Sequence, residues 1–218
     1  AAPAYCPSNG NMSYVTGLTN VTFSGINNST AKPAAYTYYT SPTTNVTIGS
    51  PYTLSVRVNT AGAYTVWAKA WIDWNQNGVF DIATEEYALG SANNVANGAT
   101  TIAPSITIPA AAALGKTRMR VSARYNAYAT SCLTAYDGEV EDYDVTVAAS
   151  VPLCANINTP ANAATNVCPT TTTLNWTAPG SGPAPTGYRV YFGTDAAATN
   201  IQNGLDVGLV LTWNPGAL

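Results

Sequence analysis

The sequence contains no histidine. That absence removes the commonest general base, the usual serine triad and most zinc or iron sites, so any catalysis would have to rest on carboxylates. Charge is scarce as well: Asp, Glu, Lys and Arg together make 9% of the 218 residues, and only eight are basic. With a net charge of −3, the chain offers nucleic acid no electrostatic footprint, and that partner is excluded. No apolar run approaches the roughly 18 residues needed to span a membrane. There is no basic-then-apolar leader, and Ala1-Ala2-Pro3 reads as the remnant of a small-residue cleavage site left when a signal peptide is removed.

What the chain does have is Thr, Ala, Asn, Tyr and Gly, so its surface is polar through hydroxyls and amides. This profile fits an extracellular β protein. The length suits one domain of about 150 residues followed by part of a second. Four cysteines, Cys6, Cys132, Cys154 and Cys168, lack the paired spacing of a zinc ribbon. Disulfides are expected, Cys6 with Cys132 closing the first domain and Cys154 with Cys168 clipping a loop of the second, which implies an oxidising compartment. The alternative is four buried thiols packed as small hydrophobes. Asn-x-Ser/Thr acceptors for glycosylation stand at Asn11, Asn20, Asn27, Asn28, Asn45 and Asn175.

Period-two alternation runs through Tyr52–Val58 and Tyr64–Ile72, and the Ala61-Gly62 turn between them predicts a hairpin. Tyr64, Val66, Ala68, Ala70 and Ile72 share one face, with Trp67, Lys69, Trp71 and Asp73 on the other. Further strands are predicted within 100–109, over 117–125 and over 137–147. The Ala-rich run at 110–115 is too short for a helix. A linker at 149–153 then separates a first domain, 1–148, from a second, 154–218. The fold class expected is all-β, two tandem β-sandwich domains, the second Ig- or fibronectin III-like and lacking its last two strands.

Nine of the eleven acids fall in two stretches, Asp73 to Glu86 and Asp137 to Asp144, where carboxylates repel unless something positive joins them. In the first, Asp73-x-Asn75-x-Asn77-Gly78-Val79-x-Asp81 reproduces the opening nine positions of a calcium loop. Alternate side-chain oxygens converge on one point, Gly makes the sharp turn and a backbone carbonyl follows. Position twelve is Thr84, and strand patterns flank the loop, so a β-framed calcium site is expected. Its ligands are Asp73, Asn75, Asn77, the Val79 carbonyl and Asp81, completed by Glu85 or Glu86. The bland alternative is an Asn-Gly turn with solvated acids. In the second stretch, Glu139 and Glu141 share a face with Tyr143, Val145 and Val147, where an unpaired carboxylate is costly. Arg118, Arg120 and Arg124 of the preceding strand are the expected partners, forming a structural network; the alternative places the two glutamates near the calcium loop.

Tyr5-Cys6, Trp71 through Gly78, Gly115-x-Thr117-Arg118-Met119-Arg120-Val121, Cys132 and Gly138-Glu139-Val140-Glu141-Asp142-Tyr143 occur in order. Together they resemble the GEVED domain of secreted bacterial proteins, over roughly residues 5 to 147. The resemblance implies an extracellular β-sandwich module of multidomain surface proteins, often of the Bacteroidetes type, found beside fibronectin-like repeats and beside secreted hydrolases, with no activity of its own. Tyr38 departs from it, standing where an Asp is expected in a Tyr-x-Asp-Tyr-Thr pattern. After the linker, Leu174-x-Trp176 and Tyr188-x-Val190-Tyr191 resemble a fibronectin type III domain.

These features point to a calcium-stabilised, disulfide-closed structural protein of the cell surface or matrix. A filament of identical subunits joined by strand complementation across the missing edge is the assembly they suggest. The rival is a non-catalytic glycan-binding or adhesion module using Tyr36, Tyr38, Tyr39, Trp67 or Trp71 as stacking platforms. A hydrolase built on Glu139 and Glu141, about 7 Å apart on one strand face, is weaker, because neighbouring arginines would hold both acids ionised.

Overall fold

Alternating apolar residues need a partner layer on one side only, and in this chain they build two facing sheets. The computed structural model describes residues 4–161, 163–165, 167–168, 172–180 and 182–216. It divides after Ala149 into two compact units.

The strands of the first unit are β1 (Gly17–Phe23), β2 (Ile26–Ser29), β3 (Tyr36–Thr47), β4 (Pro51–Asn59), β5 (Thr65–Ile72), β6 (Glu86–Asn93), β7 (Gly98–Ala99), β8 (Ser105–Thr107), β9 (Gly115–Tyr125) and β10 (Gly138–Ala148). One sheet runs β2-β1-β4-β7, with β8 also pairing to β4, and the other runs β3-β10-β9-β5-β6. The expected hairpin between β4 and β5 is therefore not one. Each strand buries one face in the shared interior, and the turn between them carries the chain from one sheet to the other.

Leu18, Val21, Phe23, Leu54, Val56 and Val58 from the first sheet meet Val66, Ala68, Ala70, Ile72, Met119, Val121, Tyr143 and Val145 from the second. Each large side chain buried there contributes about 1.5–3 kcal/mol. Strand β10 pairs antiparallel with β9 and parallel with β3, and all its residues from Gly138 to Val145 are buried. Both of its faces are covered because a second cluster, Trp71, Phe80, Ala129, Tyr136 and Val140 with Tyr5 and Leu133, packs on the outer side of its sheet. The N-terminal segment and the loop before β10 form that cover, and the Cys6–Cys132 disulfide joins them across 126 residues of sequence.

The second unit holds β11 (Asn156–Thr159), β12 (Leu174–Thr177), β13 (Tyr188–Phe192), β14 (Gln202–Gly208) and β15 (Thr212–Trp213). They form a three-stranded sheet, β11-β12-β15, and a pair, β13-β14. The chain is thus all-β, as expected. Trp176 and Val190 are the buried hydrophobic residues among those described there. Cys154 is an exposed free thiol, so the expected bridge to Cys168 is not formed. No helix among the described residues is long and apolar enough to cross a membrane.

Candidate functional site

The register of β9 on β10 decides which charges meet. Arg120 lies opposite Asp142, Arg118 opposite Asp144, and Val121 opposite Glu141. Alternation thus sends the arginines and the aspartates to the outer face and the glutamates to the interior, so the expected pairing of arginines with Glu139 and Glu141 is overturned. Arg120 grips Asp142 with two bonds, Nε to Oδ1 at 2.8 Å and Nη2 to Oδ2 at 2.9 Å. Its Nη1 donates to the carbonyls of Cys6 at 2.9 Å and Ser131 at 2.7 Å. A single buried guanidinium therefore fastens both sides of the disulfide to the central strand. Arg118 adds a 3.0 Å bond to Asp142, Lys116 pairs with Asp144 at 2.5 Å, and Arg124 instead donates to the Tyr128 carbonyl.

Two of the tyrosines expected as sugar platforms, Tyr36 and Tyr38, serve this network. Tyr36 donates to Asp142 at 3.0 Å and Tyr38 to Asp144 at 2.5 Å. Burial, reinforced by the Asp142 charge, pushes the Tyr36 hydroxyl up to about 12. The Arg118 guanidinium lies 3.8 Å over the Tyr38 ring. Tyr38 thus carries a hydroxyl to the acid network from the position where the resemblance leads one to expect an Asp. Tyr39 stacks on Tyr143 with centroids 5.3 Å apart, Trp67 packs edge-on against Tyr128 at 4.9 Å, and Trp71 is fully buried.

Glu139 and Glu141 sit between the sheets with no exposed surface. Glu139 Oε2 accepts from the Leu18 amide at 2.8 Å, and Glu141 Oε2 accepts from the Tyr143 hydroxyl at 2.5 Å. The second oxygen of each is buried without a partner among the described residues. Burial, then the Glu141 charge, pushes Glu139 up to about 8, although the Leu18 amide and Lys32 oppose the shift. Burial also raises Glu141 against the Tyr143 and Thr30 hydroxyls. Lys32, itself buried, donates to the carbonyls of Tyr14 and Thr16, both at 2.7 Å. Asp142 and Lys32 were missed at the sequence level. Asp142 was legible in principle, since it alternates with Glu141 and faces the arginine side.

Gly138, which opens the Gly-Glu-Val-Glu-Asp run, is required sterically. A Cβ there would come within 2.0 Å of the Ala123 carbonyl oxygen, and one on Gly10 within 1.8 Å of the Gly138 oxygen. The N-terminal segment can close on β10 only with a bare glycine at position 10, while β9 and the Tyr136 ring leave no room for a side chain at 138.

In the loop after β5, Asp73 is fully buried and accepts from the Tyr5 hydroxyl at 2.8 Å, the Gly78 amide at 3.0 Å and the Asn77 amide at 3.2 Å. Asn75 Oδ1 and Asn77 Oδ1 accept amides two residues on, at 3.0 and 2.7 Å. Gly78 takes φ 84°, the left-handed geometry the turn needs. Asp81 stands at the mouth, bonded to Asn75 Nδ2 at 3.0 Å. Glu85 closes the loop from beneath, its oxygens accepting from the amides of Trp74 at 2.8 Å, Asn75 at 3.3 Å and Asp81 at 2.9 Å. Burial raises its pKa against these backbone bonds. Glu86 stands apart from Glu85: it accepts from Lys69 at 2.7 Å and from the Trp71 indole at 2.9 Å, on the outer sheet face. Among the described residues no three His, Cys, Asp or Glu side chains group closely enough to hold a metal. The remaining donors, Asp73, Asn75, Asn77, the Val79 carbonyl and Asp81, are hard oxygens on a loop without a basic residue, which fits calcium in kind.

Of the glycosylation acceptors, Asn27 and Asn45 are exposed, while Asn11, Asn20, Asn28 and Asn175 are half-buried. The Asn28 amide nitrogen is engaged by the Tyr143 hydroxyl at 3.0 Å and that of Asn20 by Asn27 and Ser29.

No curated protein matches the chain. Residues 67–146, from β5 through the Asp73–Asp81 loop and the paired strands β9 and β10 that carry the Arg120–Asp142 grip, match the family model of the GEVED domain.

Proposed function

We propose that the chain is a non-catalytic structural module of a secreted surface or matrix protein, closed by a disulfide and supported by calcium at the Asp73–Asp81 loop. The observation that carries this reading is the Arg120–Asp142 grip on the Cys6–Cys132 closure. It places the densest charge of the molecule in holding strands together, while Glu139 and Glu141 have no exposed surface from which to meet a substrate. The second unit is read as fibronectin type III-like. Val151, Ile157, Leu209 and Val210 are exposed there, and an edge strand of its small sheets is where a strand of another copy would add.

Calcium is tested by melting the protein with excess calcium and with excess chelator. A rise in melting temperature with calcium is expected, lost in Asp81→Ala, whose carboxylate bonds only the Asn75 amide. An unchanged melt with chelator removes calcium from the reading. Sedimentation tests the assembly: a monomer at all concentrations, with and without calcium, removes the filament.

A further inference from the structure

Tyr14, Tyr64 and Tyr125 differ from the tyrosines of the acid network. They stand 60%, 53% and 40% exposed, and their hydroxyls make no hydrogen bond among the described residues. With Thr16, Ala61 and Asp137 they line a cleft of about 570 Å³ in the first unit. Tyr64 and Tyr125 meet edge to face, centroids 5.5 Å apart and planes at 89°, so their rings make a corner open to solvent. Asp137 is part of the cleft lining, and its Oδ1 is buried with no hydrogen-bond partner among the described residues. A buried acceptor with no donor calls for an explanation, and a concave aromatic surface with a few polar groups is the usual make-up of a small-ligand site.

We propose that this cleft binds a neutral saccharide, with a pyranose ring lying in the corner of Tyr64 and Tyr125 and one sugar hydroxyl donating to Asp137. A pyranose has an apolar C–H face that suits an aromatic ring and a rim of hydroxyls that both donate and accept, matching the free tyrosine hydroxyls. A cationic ligand matches less well. The Lys32 ammonium, held on the carbonyls of Tyr14 and Thr16, already sits in the field of Asp137 and repels a second positive charge. None of the platforms predicted from sequence takes part; this site is built from the turn after β4, the end of β9 and the two loop residues Tyr14 and Asp137.

Affinity electrophoresis of the full chain through gels containing a soluble β-glucan, a mannan, a xylan or a galactan tests the proposal. Retardation in at least one gel is expected, weakened roughly threefold to tenfold by Tyr64→Ala and by Asp137→Asn, and unchanged by Tyr191→Ala in the second unit. Melting curves establish that each variant is folded. Proton spectra of the wild type give a measurement independent of any variant, since the retarding sugar's oligosaccharide must shift the ring signals of Tyr64 and Tyr125. Four gels without retardation, retardation unaffected by both cleft substitutions, or ring signals shifted by choline and by no oligosaccharide would each overturn the proposal.

Discussion

Replacing Glu139 by Gln measures the cost of placing a carboxylate between the two sheets. Burial and the neighbouring Glu141 raise its pKa from 4.5 to about 8 in the folded protein, while in the unfolded chain it returns to its ordinary value. Between those two pH values the folded state therefore holds a proton that the unfolded state has released, and stability falls as pH rises. Below the unfolded pKa the term is absent, and above the folded pKa it is complete and flat. A shift of that size corresponds to about 5 kcal/mol at about 1.4 kcal/mol per unit, an upper figure because relaxation and water entry around the carboxylate recover part of it. Even half of it is a large share of a typical domain's 5–15 kcal/mol. Glutamine keeps an oxygen for the Leu18 amide, which donates to Glu139 at 2.8 Å, and has no charge to bury. It also removes a counter-charge from Lys32, which trims the gain. Hydrogen exchange at the amides of β9 and β10 under increasing urea reports the first unit alone. The wild type should lose protection from pH 5 to pH 8.5, and Glu139→Gln should lose markedly less and be the more stable of the two at pH 8.5. Equal pH slopes in the two proteins, or a less stable variant at pH 8.5, would refute the reasoning.

The two aspartates of β10 make a contrast on one strand. Asp142→Asn strands the buried Arg120 guanidinium and should cost about 3–5 kcal/mol, whereas Asp144→Asn should cost about 1–2 kcal/mol, because its Lys116 partner has a side chain 62% exposed and asparagine keeps an oxygen for the Tyr38 hydroxyl; comparable melting temperatures for the two variants would contradict the network. Cys6→Ser with Cys132→Ser opens a closure of 126 residues and should destabilise the first unit by about 4 kcal/mol, read as a shift of its urea midpoint. Reductant should lower the wild-type midpoint equally and leave the double variant unmoved.

Strand existence and the burial of each face were readable because period-two alternation is a local signal. Val66, Ala68, Ala70 and Ile72 emerge in the core as their spacing implies. Partner choice is not local. Nothing between Val58 and Thr65 distinguishes a hairpin from a chain crossing to the opposite sheet, since both need a short turn and both bury one face of each strand. The acid network turns on the same non-local choice. Alternation correctly sent Glu139 and Glu141 inward and the arginines of β9 to one face, but whether those faces coincide depends on a register offset of one residue. With Asp142 opposite Arg120, the arginines meet the aspartates, and the glutamates are left with Leu18, Tyr143 and Lys32, all contributed by residues remote in sequence or on the same strand. Calcium-loop spacing gave the turn because Asx side chains capture amides two residues ahead wherever the chain allows. Adjacency in sequence still misplaced Glu86, since one step along the start of β6 carries a carboxylate from beneath the loop, where Glu85 lies, to the outer face beside Lys69 and Trp71. The same parity argument accounts for the tyrosines: Tyr36 and Tyr38, two apart on β3, were drawn into the network, and Tyr14, Tyr64 and Tyr125 stand at strand ends and in loops, where no neighbouring strand of the network claims their hydroxyls.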